Sequence, residues 1–249
     1  MGKRKNKISK ALSIFVATDK NFLFMARFHR YQVFSTMSKT GLVPVFYHPD
    51  IEVCKEVIHA CYQGGVRVFE FTNRGDFAHE VFSELSKFVN SNFPDLILGI
   101  GSVIDAGTSS LYLQSGANFI VSPILKKEMA RVCNRRKVLW IPGCGSLTEI
   151  SRAEELGAEI VKIFPASSIG GPDFVKAIKG PFPWTNIMPT GGVSLDPENL
   201  KGWFNAGVTS VGIGSKLITK EIIANKDFRL LEEKISQAIQ TIQSIKTKA

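Results

Sequence analysis

Two ionisable residues close apolar runs that are suited to buried strands. Lys162 lies in Ile160-Val161-Lys162-Ile163-Phe164-Pro165. Burial disfavours the charged form of an ammonium, and a lysine made partly neutral in an apolar pocket can attack a ketone to form a Schiff base. The same side chain can instead reach solvent or pair with a carboxylate. Glu70 ends Val66-Arg67-Val68-Phe69-Glu70-Phe71, with Thr72-Asn73-Arg74 directly after. Strand alternation sets Glu70 on the side of Val66 and Val68, opposite Arg67 and Phe69. A carboxylate so placed can shuttle protons, and Arg74 can clamp a substrate carboxylate through paired N–H donors. A structural Glu70–Arg74 ion pair is the other reading. Thr190-Gly191-Gly192 and Gly212-Ile213-Gly214-Ser215 each close a further apolar segment. Small residues there let backbone N–H groups approach an anion, and a helix beginning after Ser215 adds favourable charge for a phosphate. Ser102 and Ser122 can bind a substrate oxygen or cap a helix, with capping favoured for Ser122. His48 beside Pro49-Asp50 reads as a turn residue, and Lys216 as either a neighbour of the phosphate or a solvated helix start.

Such groups act together only if the fold gathers the ends of several strands. From Gly41 onward, short β-branched or aromatic runs alternate with amphipathic stretches of helical length. The expected strands are eight: Leu42–Tyr47, Val66–Phe71, Leu96–Ile100, Phe119–Val121, Val138–Ile141, Ile160–Phe164, Ile187–Met188 and Ser210–Ile213. Helical patterns fall near 51–63, 76–91, 106–115, 126–134, 147–156, 172–179, 196–205, 215–223 and 227–246. This alternation implies a parallel sheet. Gly65, Gly116, Gly157 and Gly207 each stand just before a strand, at intervals of 51, 41 and 50 residues. A left-handed glycine there closes the preceding helix. Repetition throughout 25–249 predicts a single-domain α/β fold, a (β/α)8 TIM barrel with an N-terminal helix before the first strand. An open doubly wound sheet is the alternative, but the first strand leads into Tyr47-His48-Pro49-Asp50 rather than a GxGxxG turn. In a barrel, active-site groups collect at the C-terminal ends of the strands, with phosphate sites after strands seven and eight.

With 249 residues, 44% apolar and 21% charged, the composition excludes a disordered or fibrous chain. No apolar run approaches the roughly 20 residues of a membrane helix, so a soluble protein with no membrane partner is expected. The formal charge is +9, but residues 1–24 carry +5 of it, leaving +4 on the other 225. Lys126-Lys127 and Arg135-Arg136-Lys137 read as solvated helix ends without interleaved aromatics, so no nucleic-acid partner is expected. The 1–24 extension has the polarity of a signal peptide, yet Leu12–Ala17 is short, is broken by Thr18-Asp19-Lys20 and lacks a small-residue cleavage site. It is expected to be disordered or to precede a native start at Met25. Cys54, Cys61, Cys133 and Cys144 form no CxxC pair, which points to a reducing cytoplasm. Cys54 and Cys61, seven apart, read as helix packing residues. His29, His48, His59 and His79 are not at metal-ligand spacing, so no metal is expected.

Segments 65–74 and 157–166 resemble the two signature segments of the 2-keto-3-deoxy-6-phosphogluconate (KDPG) aldolases, a family that includes 4-hydroxy-2-oxoglutarate aldolase activity. Gly99-Ile100-Gly101-Ser102-Val103, Ile141-Pro142-Gly143, Lys179-Gly180-Pro181-Phe182-Pro183 and Pro189-Thr190-Gly191-Gly192-Val193 are similar to further blocks in the same order. The resemblance implies a cofactor-free, metal-independent class I aldolase, a homotrimer of barrels acting on a phosphorylated keto sugar acid and releasing pyruvate. By matching position, Lys162 is the Schiff-base lysine and Glu70 the general acid/base. Arg74 and Ser102 hold the pyruvyl carboxylate, and Thr190, Gly191, Gly192, Gly214 and Ser215 receive the phosphate. The chain departs from the pattern at Asn73, Gly75, Ser102, Ile124 and the bulky Phe46-Tyr47-His48. These departures leave the aldehyde side open: 4-hydroxy-2-oxoglutarate or the galactonate epimer are alternative substrates. A non-catalytic barrel binding phosphate or RNA is the reading from a different class.

Overall fold

Nine short parallel strands alternate with helices over residues 26–248, the part of the chain that the computed structural model describes. The expectations for residues 1–24 lie outside them. Helix α1 (Arg30–Thr40) precedes β1 (Leu42–Phe46), as expected. Then follow α2 (Ile51–Gln63), β2 (Val68–Thr72), α3 (Ala78–Asn92), β3 (Ile97–Gly101), α4 (Ala106–Gln114) and β4 (Phe119–Val121). The second half holds α5 (Lys127–Arg136), β5 (Leu139–Ile141), β6 (Gly143–Cys144), α6 (Leu147–Glu155), β7 (Val161–Ile163), α7 (Gly171–Lys179) and β8 (Ile187–Pro189). The chain ends with α8 (Pro197–Asn205), β9 (Val211–Ile213), α9 (Lys220–Asn225) and α10 (Phe228–Lys248).

Local chemistry sets these boundaries. Asp50, Asp105, Ser146, Asp196 and Thr219 each accept a backbone N–H of the following first turn, which fixes where α2, α4, α6, α8 and α9 begin. Gly65, Gly116, Gly157 and Gly207 all adopt φ between 86° and 103°, turning the chain from helix back to strand.

The strands form a curled six-stranded sheet in the order β5-β4-β3-β2-β1-β9 and a three-stranded sheet, β6-β7-β8. Proline lacks an N–H for the ladder, and Pro142 separates β5 from β6, dividing what the sequence presents as one strand end. Its carbonyl accepts the Lys162 N–H at 2.8 Å. Beyond β8 and β9, a single parallel bridge joins Thr190 to Gly212.

Two buried clusters lie on opposite faces of the strands. One takes Phe69 and Phe71 together with the inner faces of the helices, including Cys54 and Cys61 of α2. The other gathers Val43, Val68, Ile97, Phe119, Leu139 and Met188, with Val33 and Met37 of α1 packed into it. Alternation along β2 therefore separates Val68 from Phe69 as expected. Val66 does not follow the alternation: it precedes β2 and joins the helix-side cluster. No helix among the described residues is long and apolar enough to cross a membrane.

Candidate active site

Glu70 and Lys162 occupy strands whose other positions are apolar, and both are buried, at 1% and 5% exposure. Among the described residues neither carboxyl oxygen of Glu70 has a hydrogen-bond partner, and no Glu70–Arg74 ion pair forms. Burial raises the Glu70 carboxyl above the usual carboxylate range, and the nearby charges of Lys162 and Arg74 oppose that rise without cancelling it. Room for this side chain comes from the adjacent strand: a Cβ at Gly101 would stand 1.7 Å from Glu70 Oε1. Lys162 Nζ lies 5.0 Å from the centre of the Phe164 ring, within cation–π range. Phe164 shares strand parity with Lys162, the signal that could have singled it out in the sequence.

Above these groups opens a cleft of about 730 Å³ at the C-terminal ends of the strands. Arg74, Thr190, Gly191, Gly192, Gly214 and Ser215 all line it, together with Phe46, Tyr47, His48, Thr72, Phe164 and Lys216. Six of the nine predicted site residues thus meet around one opening. Lys162 and Glu70 are not themselves lining residues; each is buried two positions before one that is, Phe164 and Thr72. Ser102 is not among the lining residues; it follows β3 with φ of 61°, next to Gly101, whose carbonyl accepts the Asn73 N–H at 2.8 Å.

The glycine loop after β8 has a left-handed backbone. Gly191 and Gly192 have φ of 90° and 81°. Their carbonyls are taken by the Ser167 N–H (3.1 Å) and Asn199 Nδ2 (3.2 Å), while the Gly192 N–H finds no acceptor among the described residues. Thr190 Oγ1 is buried without a partner. After β9 the expectation needs correcting: Gly214 and Ser215 open a turn closed by the Leu217 and Ile218 N–H groups on the Gly214 carbonyl, and the helix starts only at Lys220. Helix-dipole charge therefore plays no part at Ser215. Ser122 does not cap a helix either; its Oγ accepts the Ile124 N–H at 3.2 Å, and α5 begins five residues later.

Departures from the family pattern turn out to touch one another. Gly75, at φ 79°, has space where a Cβ would come within 2.7 Å of Tyr47 Oη, so the bulky tyrosine and the missing side chain compensate. Asn73 Oδ1 accepts the Tyr112 hydroxyl at 2.7 Å. Burial raises that phenol to about 12. Together these contacts brace the segment that carries Arg74. Among the described residues, no group of three or more His, Cys, Asp or Glu side chains is gathered for a metal ion.

A curled parallel sheet wrapped by helices, with its polar cleft at the strand C-termini, places the chain among the TIM-barrel-like α/β enzymes. A family model, the KDPG and KHG aldolases, matches residues 33–234, and the chain belongs to that family. It is 31% identical over 202 residues to a 2-dehydro-3-deoxy-phosphogluconate aldolase of Pseudoalteromonas atlantica, covering 81% of this chain and 91% of that protein. It is 28% identical over 207 residues to the KHG/KDPG aldolase of Escherichia coli, covering 83% and 94%. The crystal structure of the Legionella pneumophila KDPG aldolase, with pyruvate captured at low pH as a covalent carbinolamine, matches with a TM-score of 0.75 at 29% identity, covering 83% of this chain and 97% of that one.

Proposed function

We propose that this chain is a Schiff-base aldolase that cleaves 2-keto-3-deoxy-6-phosphogluconate to pyruvate and glyceraldehyde 3-phosphate. The observation that carries this reading is the buried, unpartnered Glu70 carboxyl under the electrostatic influence of Lys162, on strands whose ends meet at a cleft lined by the Gly191-Gly192 loop. Lys162 Nζ adds to the C2 ketone, and loss of water gives a protonated imine. With that electron sink in place, Glu70 takes the C4 hydroxyl proton, directly or through a water. The C3–C4 electron pair then flows into the imine, and the aldehyde leaves. Glu70 returns its proton to C3 of the enamine, and a water molecule hydrolyses the imine, freeing pyruvate and the lysine amine. A carboxyl raised above its usual range suits both directions of transfer. Arg74 and Ser102 hold the pyruvyl carboxylate, while Thr190, Gly191, Gly192, Gly214 and Ser215 take the phosphate.

Borohydride added with pyruvate is expected to fix a reduced adduct on Lys162, located by peptide mass. An intact chain with no adduct, or an adduct on another lysine, overturns the assignment.

In this reading 25–249 is one domain, and the two sheets are one closed (β/α)8 barrel. Two observations support the closure: Pro142 alone stands between β5 and β6 in the chain, and the Thr190–Gly212 bridge joins β9 to the residue after β8. We further propose a homotrimer. Phe77, Ile104 and Ile124 are exposed on the loops after β2, β3 and β4, and Leu147 at the start of the helix after β6. Sedimentation is expected to give three chains; a monomer sinks this part. Four buried free cysteines, their thiols raised by desolvation, accord with a reducing cytoplasm.

A further inference from the structure

His48 faces the cleft, and the aldol chemistry leaves it without a role. It follows β1, whose end lies against β9: Pro44 pairs with Ile213, and a Cβ at Gly214 would stand 3.4 Å from the Val45 carbonyl oxygen. The histidine is therefore on the side of the cleft that holds Gly214, Ser215 and Lys216. Its own geometry is fixed by three contacts. The ring lies within 6° of parallel to Phe46, and Nδ1 accepts the Asp50 N–H at 3.1 Å. Cys54 Sγ donates to the His48 carbonyl at 3.3 Å, while Asp50 itself caps α2 through the Glu52 N–H.

An amide N–H can only donate, so Nδ1 carries no proton and the proton of the neutral ring sits on Nε2. Nothing among the described residues accepts from Nε2. The turn thus holds a donor of defined tautomer at the edge of the cleft, its orientation settled before any ligand arrives. We propose, on the basis of the phosphorylated-substrate reading, that His48 is a specificity-determining residue whose Nε2–H donates to a phosphate oxygen of the aldehyde half. Lys216, exposed on the same rim, adds charge on a flexible stem; His48 adds direction.

The test separates the two ring nitrogens. In His48→Asn the side-chain oxygen still reaches the Asp50 N–H as an Asx turn, but the distal donor is gone. In His48→Gln a donor extends toward the Nε2 position, but the turn acceptor is lost. Titration calorimetry with inorganic phosphate is expected to show affinity about 10- to 100-fold weaker in His48→Asn, the usual effect of one hydrogen bond to a charged group, and within about 5-fold of the parent in His48→Gln. Borohydride trapping of pyruvate is expected to be unchanged in both. Unchanged phosphate affinity in His48→Asn overturns the proposal, as does an equal loss in both variants or a parallel loss of pyruvate trapping. If the parent chain traps no pyruvate while His48→Asn still loses phosphate affinity, the donor role stands and the aldolase reading falls.

Discussion

Lys162 and Glu70, at the floor of the cleft, sit on β-strands and are nearly sealed from solvent, and the Glu70 carboxyl has no hydrogen-bond partner among the described residues. The rim is built differently. Arg74, the Gly191-Gly192 loop and the Gly214-Ser215 turn lie on connections between strand and helix, face open space and are held by backbone hydrogen bonds and neighbouring side chains. The floor stores electrostatic tension, because desolvation holds one carboxyl against its normal ionisation. The rim stores conformation, in left-handed glycines and fixed side chains. Of the chain's departures from its family pattern, Phe46, Tyr47 and His48 line the cleft, Asn73 and Gly75 flank Arg74, and Ser102 and Ile124 lie off the lining.

That contrast is broken most severely at the floor. Lys162→Met is expected to remove aldol cleavage by roughly 10⁴-fold or more, because the exposed lysines of the rim lack the burial that favours a neutral, nucleophilic amine. Cleavage that survives at the parent rate would detach the floor from the chemistry altogether. Glu70→Gln is expected to lower kcat by about 10²- to 10⁴-fold.

Glu70→Gln also reports on the tension stored there. With its carboxyl raised in the folded chain, Glu70 binds its proton more tightly folded than unfolded. Its stability contribution is greatest below the ordinary carboxylate pKa and declines as pH rises through the raised value. Melting curves across that range are expected to show Glu70→Gln gaining stability relative to the parent as pH increases. A difference that does not vary with pH would remove the argument from desolvation.

At the rim, the effect should be on packing rather than rate. Gly75→Ser is expected to cost about 2–3 kcal/mol, combining a left-handed backbone penalty with overpacking against Tyr47. In a Tyr47→Phe background only the backbone part, about 1–2 kcal/mol, is expected to remain. Chemical denaturation of the four chains measures the coupling. Equal costs in both backgrounds would mean that the tyrosine and the glycine are independent.

The floor was legible in the sequence because a charged residue amid β-branched neighbours is conspicuous, and the two-residue period of a strand fixes which way it points. Glu70 and Val68 share a face for that reason, whereas Val66 lies outside the strand, where the period no longer applies. The rim was less legible. Lys216-Leu217-Ile218 has a helical pattern of polar and apolar residues, but Thr219 supplies the cap, and the helix waits for it. His48 resembled any residue in a Pro-Asp turn until Asp50 was seen to claim its Nδ1. Ser102 matched by position, yet its left-handed backbone beside Gly101 leaves it off the cleft lining.

By itself the sequence determined the alternation of strand and helix, the glycine punctuation and the two buried ionisable groups, since propensity, periodicity and desolvation act over a few neighbouring residues. The fit of Tyr47 over Gly75, the lack of hydrogen-bond partners around the Glu70 carboxyl and the tautomer of His48 were decided only by the tertiary structure. Those depend on which atoms meet across strands far apart in the chain, and on which donors find an acceptor there.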